Sequence, residues 1–543
     1  MLSRIPKSDR TNTMRHLLFL AALASVSASA QSPEAVLSLE PGFDQYDGSG
    51  FGWRIETLDL DEDGTDEILV SAVEGLNSLG MQGAGRVYLY DGASLTLRFA
   101  IESPNPNPNG FFGQDVCFLP DVNEDGVADI AVSSGEEDAY PDGVIYVFSG
   151  QDGSLLTTLE PPPDEDFRIF GFSMVGAEDL NGDGFGELVV GSPLSPGSLY
   201  VYSGADWSVL AVFEGGNDFG AQLAPYRDVD LDGHDEILVG ESGRVYALSL
   251  MDGERLITAE PLPGQGFDGF GEWDLVQGPD ANGDGAADIL IVARRGSPQV
   301  GPINTGLVYL VSGTDGEVIH TLSLPSALYP GGTSLLYSVN TVPDIDGDGI
   351  DDIVSGWFEG PGICFPPNPC GEPPLEVVIT YSSATGDVLS ILDAEGTPAG
   401  TGGGVFGLRL AQWTGPSGVK MLLSHIADGS PYGGVVYVYD PDAFLPVVGN
   451  ETLADERSAG PLSIEVMPNP TRGLLQLNIG SVDGMVDINL HDSSGRRILE
   501  QSAVPAGSGG VLQLDLTPYP PGIYLVRIRD GQRSATARVT KLP

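Results

Sequence analysis

Six nine-residue segments carry the densest chemistry in the chain: DLDEDGTDE (59–67), DVNEDGVAD (121–129), DLNGDGFGE (179–187), DVDLDGHDE (228–236), DANGDGAAD (280–288) and DIDGDGIDD (344–352). Position 1 is Asp59, Asp121, Asp179, Asp228, Asp280 or Asp344. Position 3 is Asp61, Asn123, Asn181, Asp230, Asn282 or Asp346, and position 5 is Asp63, Asp125, Asp183, Asp232, Asp284 or Asp348. Side-chain oxygens at these places fall on one side of a tight turn, and glycine at position 6 permits the reversal. A backbone carbonyl at position 7 (Thr65, Val127, Phe185, His234, Ala286, Ile350) adds a ligand, and an acid at position 9 (Glu67, Asp129, Glu187, Glu236, Asp288, Asp352) closes the set. Hard oxygen ligands without Cys, and with no His ring required, favour Ca²⁺ over zinc or copper. Magnesium wants tighter octahedral geometry and more water.

Asp, Asn and Gly dominate ordinary turns, which accounts for one or two such segments but not six. Positions 1, 3, 5 and 9 carry 21 carboxylates among 24 places. Packing three or four carboxylates into one turn without a cation is repulsive. The expectation is up to six structural Ca²⁺ ions, held best by the loops at 59, 228 and 344, which have four carboxylates each. The loops at 121, 179 and 280 have Asn at position 3 and are expected to be weaker.

The elements that must position these loops repeat with them, at spacings of 49 to 64 residues. Each loop runs into a β-branched or aliphatic stretch such as Ile68-Leu69-Val70 or Leu188-Val189-Val190. A Phe-Gly pair precedes it at Phe51, Phe112, Phe170, Phe219 and Phe270, and an alternating strand such as GRVYLYDG (85–92) or GSLYVYSG (197–204) follows. Each unit therefore reads as four short antiparallel strands, and radial repetition is how such units bury both faces. The sixth unit has Leu336-Tyr337 in place of Phe-Gly. A seventh keeps Phe406-Gly407 and GGVVYVYD (433–440), but WTGPSGVKM (413–421) stands where the acids would be. Its fourth strand is missing, while residues 35–40 form an orphan strand expected to complete it and close the ring.

These residues resemble FG-GAP repeats, the units of the integrin α-subunit propeller and of many bacterial secreted proteins. The resemblance covers roughly residues 35–445 and implies that the ions stiffen hairpins at one rim.

Residues 446–460 read as a polar linker. Beyond them, seven strand-like segments (463–467, 474–479, 485–491, 497–501, 511–516, 522–529 and 534–541) suit a small Ig-like β-sandwich. The segments MPNPTRG (467–473), DSSGR (492–496) and GIYLVRI (522–528) resemble the type A C-terminal sorting domain of the type IX secretion system. That resemblance implies the secretion machinery as a partner, with release outside the cell or attachment to its surface. At the other end, Arg15 and His16, the apolar run 17–23 and Ala28-Ser29-Ala30 read as a signal peptide cut before Gln31. The expected organisation is signal 1–30, all-β seven-bladed propeller 31–445, linker 446–460 and sorting domain 461–543, with no transmembrane segment in the mature chain.

Asp and Glu total 77 against 24 Lys and Arg, a formal charge of -53. Such a surface repels phosphate backbones and argues against nucleic acid as a partner. Cys364 and Cys370 flank a Pro-rich loop as a candidate local disulfide, and Cys117 reads as core. No nucleophile elbow, P-loop or zinc motif occurs. His234 is expected to be solvated, with His320 and His425 in strands. The reading is a non-enzymatic, calcium-binding propeller that adheres to or recognises an unidentified extracellular protein or glycan, with the insert 359–375 as a candidate contact loop. The alternative is a polysaccharide-acting enzyme or its carbohydrate-binding accessory module, which acids and aromatics gathered at the central channel mouth, away from the calcium rim, would favour.

Overall fold

A computed structural model describes residues 33–38, 49–135, 142–162, 169–194, 196–262, 269–294, 306–325, 334–359, 375–393, 404–427, 434–444, 463–467, 474–480, 484–492, 497–506, 511–520, 522–530 and 533–541. The expected signal peptide, the linker 446–460, the cysteines 364 and 370, and nearly all of the insert 359–375 lie outside the described residues. The described residues divide into two compact units, one within 32–343 and 350–441, the other within 442–543 together with the segment 344–349.

The first unit holds seven four-stranded antiparallel sheets. In blade 1 the strands are Phe51–Leu58, Glu67–Ala72, Arg86–Asp91 and Thr96–Ile101, paired in sequence order. Second strands of blades 1 to 5 are buried throughout and third strands nearly so, because both faces of each blade are covered. Fourth strands such as Val209–Glu214 alternate between exposed and half-buried, which marks the outer edge. First strands of consecutive blades pack on one another around the circle, and the first strand of blade 1 also packs on that of blade 7, Gly404–Gly415. The ring is closed.

Strand Ala35–Ser38 supplies the missing fourth strand of blade 7. It pairs antiparallel with Val435–Tyr439, from Ala35 opposite Val438 to Ser38 opposite Val435.

The Phe-Gly pairs set the spacing between blades. Phe51, Phe112, Phe170, Phe219, Phe270 and Phe406 are all at most 1% exposed. Phe51 stands edge-on to Tyr88 and Tyr90 of its own third strand, and Phe170 to Tyr200 and Tyr202. The glycine turns the backbone left-handed and against the preceding blade: a Cβ on Gly52 would lie 2.7 Å from Ser424 Cβ of blade 7. The sixth blade manages without the pair, with Leu336 fully buried in strand Ser334–Val342.

In the second unit, strands Ser463–Met467, Leu474–Gly480 and Val511–Asp515 form one sheet. Arg497–Ala506, Gly484–Asp492, Gly522–Asp530 and Arg533–Lys541 form another. Leu475, Leu477 and Leu514 from the first and Val486, Ile488, Val526 and Ile528 from the second share one apolar core. Among the described residues no helix is long and apolar enough to cross a membrane.

Candidate metal centres

In each of the six repeats a first strand ends, the acidic segment turns, and the second strand begins at or beside position 9. The turn is built by left-handed backbone at two places. Position 6 has φ of 88–96° in Gly64, Gly126, Gly184, Gly233, Gly285 and Gly349. Position 4 is also left-handed, and three loops hold Glu62, Glu124 and Leu231 there at φ of 59–63°, a conformation that side chains resist. Only the first of these two turns was expected; glycine at position 4 in the other three loops was its sequence signal.

The position 1 carboxylate organises the turn. Asp59 accepts the amides of Asp63 at 3.0 Å and Gly64 at 2.9 Å, and Asp280 accepts those of Gly283, Asp284 and Gly285. Position 5 accepts the amide of position 7: Thr65 to Asp63, Val127 to Asp125, Phe185 to Asp183, His234 to Asp232 and Ala286 to Asp284. The N–H of Gly184 holds Asp179 below the usual carboxylate range, as that of Ala286 does for Asp284.

Position 9 is the reverse case. Glu67, Asp129, Glu187, Glu236, Asp288 and Asp352 are at most 2% exposed. Burial pushes Asp129 up to about 6 and Glu187 and Glu236 up to about 7, and raises Glu67 and Asp288. Each of the first five accepts the amide of position 2, as in Leu60 to Glu67 at 3.0 Å and Leu180 to Glu187 at 2.8 Å. At Glu67 the Arg98 guanidinium, 3.4 Å away and 3.5 Å from Asp61, supplies some countercharge, whereas Glu187 Oε1 is buried without a hydrogen-bond partner.

The acids converge in four loops, with one ligand atom from each residue within 4.8 Å of the others. Asp228, Asp230, Asp232 and Glu236 form a group of four. Asp59, Asp61 and Glu67 form a group of three, as do Asp179, Asp183 and Glu187, and Asp344, Asp346 and Asp348. Asp63 and Asp352 stand outside these groups; Asp352 accepts the amide of Ser383 at 3.3 Å. In the loops at 121 and 280 no such group forms among the described residues. There the Asn amide donates to an acid, Asn123 to Asp129 at 3.1 Å and Asn282 to Asp284 at 2.9 Å. The loop at 179 also has an Asn-to-acid bond, Asn181 to Asp183 at 2.8 Å, yet its acids converge, so the Asn substitution alone does not rank it. An oxygen-only donor set, buried closing acids and an orphaned carboxylate oxygen together fit a hard divalent cation. His234 is half-buried rather than fully solvated, its ring 3.2 Å from Glu178.

A second charged cluster was not foreseen. Arg54 and Glu56 (blade 1), Asp115 (blade 2), Asp274 (blade 5) and Arg409 (blade 7) act on one another electrostatically, and blades so far apart in the ring meet only across its axis. Arg54 lies 2.8 Å from Asp115, and Arg409 lies 3.9 Å from Asp274. Asp115 also accepts the amide of Met174 and Asp274 that of Val339, so each acid ties its blade to the next. Glu56 keeps access to solvent in the channel, but the surrounding wall desolvates it and pushes it up to about 8, with Asp115 adding to the rise, and desolvation brings Arg409 down to about 10. The same confinement raises the Cys117 thiol well above its ordinary value, in agreement with a core role. Trp53, 37% exposed, adjoins this cluster, whereas Trp357 and Trp413 are buried. His320 and His425 lie in strands, His425 buried beside Glu376 at 3.2 Å.

A closed ring of seven four-stranded blades with acidic hairpins between its first and second strands is a seven-bladed β-propeller. Residues 112–148 and 170–202 match the FG-GAP repeat, and residues 465–541 match the secretion system C-terminal sorting domain. The chain thus carries FG-GAP repeats, similar to those of integrin α subunits, in its propeller and a type IX sorting domain at its C-terminal end, and that domain marks it for export to the cell surface or beyond. Among similar proteins, phosphatidylinositol-glycan-specific phospholipase D of Bos taurus is 31% identical over 186 residues, 32% of this chain and 21% of that protein. Integrin alpha-2 of Mus musculus is 32% identical over 176 residues, 31% of this chain and 15% of that protein. Both matches span less than a quarter of the relative's length. The BBS1N chain of a solved BBS1N–ARL6DN complex superposes with a TM-score of 0.43 at 12% identity, over 74% of this chain and 96% of that one, too distant to carry an argument.

Proposed function

We propose that this protein is an exported adhesion or recognition propeller whose acidic rim holds structural Ca²⁺, in up to six loops, and whose opposite face meets an extracellular protein or glycan. One observation carries the reading: the same acidic hairpin recurs six times, and in four copies the carboxylates gather within 4.8 Å. Every donor in these sets comes from one hairpin, which suits a stiffening role rather than a site open to substrate. The integrin-like repeats support recognition, and the sorting domain supports a place outside the cell, with the type IX machinery as partner. Calorimetric titration of Ca²⁺ into chelator-treated protein, with thermal unfolding alongside, tests it. Several ions bound with a large rise in melting temperature support the proposal. No binding and no rise refute it.

A second reading, action on a polysaccharide, has one observation in its favour: Glu56, Asp115 and Asp274 gather near the ring axis along the first strands, and the Trp53 backbone accepts from Arg409 of the same cluster. The phospholipase D among the similar proteins keeps an enzyme in view. Screening polysaccharides for cleavage by wild type and Glu56→Gln decides it, since activity lost in the variant would establish this reading and activity in neither would remove it.

A further inference from the structure

The seventh blade replaces an acidic loop with a tight hairpin, Gly404–Gly415 and Gly418–Ala427, turned by Pro416-Ser417. The tip of this hairpin is clasped by the first acidic loop. Asp66, at position 8 of that loop, accepts the Trp413 indole N–H on its backbone oxygen at 2.7 Å and the Thr414 amide on its carboxylate at 2.6 Å. Its own amide donates to the Thr414 carbonyl at 2.9 Å. Directly across the hairpin from Trp413 stands Lys420, 5% exposed, with its ammonium 2.6 Å from Asp440 and 3.1 Å from Glu34. Glu34 leads into the closing strand, and its amide donates to the Val438 carbonyl at 2.8 Å.

Two other junctions use the same docking with a difference. The amide of Asp235, position 8 of the fourth loop, donates to Glu178 at 2.8 Å, and Ala287, position 8 of the fifth, accepts the Tyr226 hydroxyl at 2.6 Å. Glu178 lies one residue and Tyr226 two residues before acidic loops of their own, so a candidate cation site stands on both sides of those junctions. At the junction of blades 7 and 1 only one side has such a loop.

We infer that the first acidic loop is the latch of the ring: the cation held by Asp59, Asp61 and Glu67 fixes Asp66, which seats Trp413 and Thr414, and the hairpin in turn carries Lys420 onto Glu34 of the closing strand. This rests on the cation reading proposed above. Losing the ion from the first loop opens the seam between blades 7 and 1, whereas losing it from the fourth loop leaves the seam shut.

Hydrogen exchange read by mass spectrometry on the full chain tests this, for wild type, Asp59→Asn/Asp61→Asn, Asp230→Asn/Asp232→Asn and Asp66→Ala. Calcium stoichiometry is measured on the same samples. In saturating Ca²⁺ the first-loop variant binds one ion fewer, and exchange in 35–38, 418–427 and 435–439 rises about tenfold or more. The fourth-loop variant also binds one ion fewer but keeps the seam protected. Asp66→Ala, which removes the carboxylate acceptor of the Thr414 amide but keeps the two backbone bonds and every ligand, loosens the seam less than the first-loop variant and with the wild-type number of ions, and so tests the relay even if a ligand variant fails to fold. An unchanged seam in the first-loop variant or in Asp66→Ala, or equal loosening in both ligand variants, overturns the inference while leaving calcium binding intact. Failure of wild type to bind Ca²⁺ overturns the cation reading and this inference together.

Discussion

The fourth acidic loop and the tip of the seventh blade occupy the same place in the fold, between a first and a second strand at the same rim. The fourth gathers Asp228, Asp230, Asp232 and Glu236 around one point. The seventh holds Trp413, Thr414 and Lys420, and is secured by hydrogen bonds to its neighbour and an ion pair. Both blades complete the same four-stranded sheet. A blade therefore needs no acids to form, and where acids are present they serve something other than strand pairing. In the seventh blade a buried aromatic docks on the adjoining blade with protein atoms alone.

The comparison breaks most sharply on removal of metal. Chelation should lower the melting temperature more than any single substitution, because each site filled at a hundredfold excess over its Kd contributes about 2.7 kcal/mol. Thermal unfolding with and without chelator measures this, and an unchanged transition would make the two tips equivalent after all. Next in size, Trp413→Ala should cost about 3–5 kcal/mol, since it empties a buried aromatic site and strips the Asp66 carbonyl of its donor. Denaturant unfolding reads that loss, which should be present in chelator as well as in calcium if the tip is cation-independent. Glu236→Gln is smaller: one bound ion fewer by calorimetry and a loss of stability near one site's contribution, present in calcium and absent in chelator.

The smallest effect concerns the channel and sharpens the contrast between paired and unpaired charge. Glu56 titrates at about 8 in the fold against an ordinary 4.5, so the folded state holds its proton more tightly than the unfolded chain. Stability falls as pH rises between those values, and above about 8 the full cost of the ionised carboxylate is present. Glu56→Gln should therefore raise the melting temperature at pH 9 and leave it nearly unchanged at pH 4. A gain of the same size at both values would remove ionisation of Glu56 as its cause.

The order of these effects tracks what was legible in the residues. Six near-copies of one loop announced both the repeat and its chemistry, because metal ligation fixes residue type and spacing within one short turn. The closing strand was legible too, since Ala35-Val36-Leu37 reads as an outer strand without a blade and the seventh unit lacked one. The charged channel was not. Arg54, Glu56, Asp115, Asp274 and Arg409 are scattered over more than 350 residues, and nothing local distinguishes them from ordinary strand charges.

Sequence by itself determined what depends on neighbours along the chain: four-stranded units, a left-handed glycine in each acidic turn, Phe-Gly pairs and the loss of acids from the seventh unit. Tertiary structure decided what depends on closing the circle. Only closure brings Asp66 to Trp413 across 347 positions and drives charges from four blades together at the axis. It also decided which loops gather their acids, since an Asn amide or a buried closing carboxylate takes its partners from the packed hairpin around it. Local spacing can encode a ligand set, but contacts made across a ring exist only once every intervening blade has taken its place.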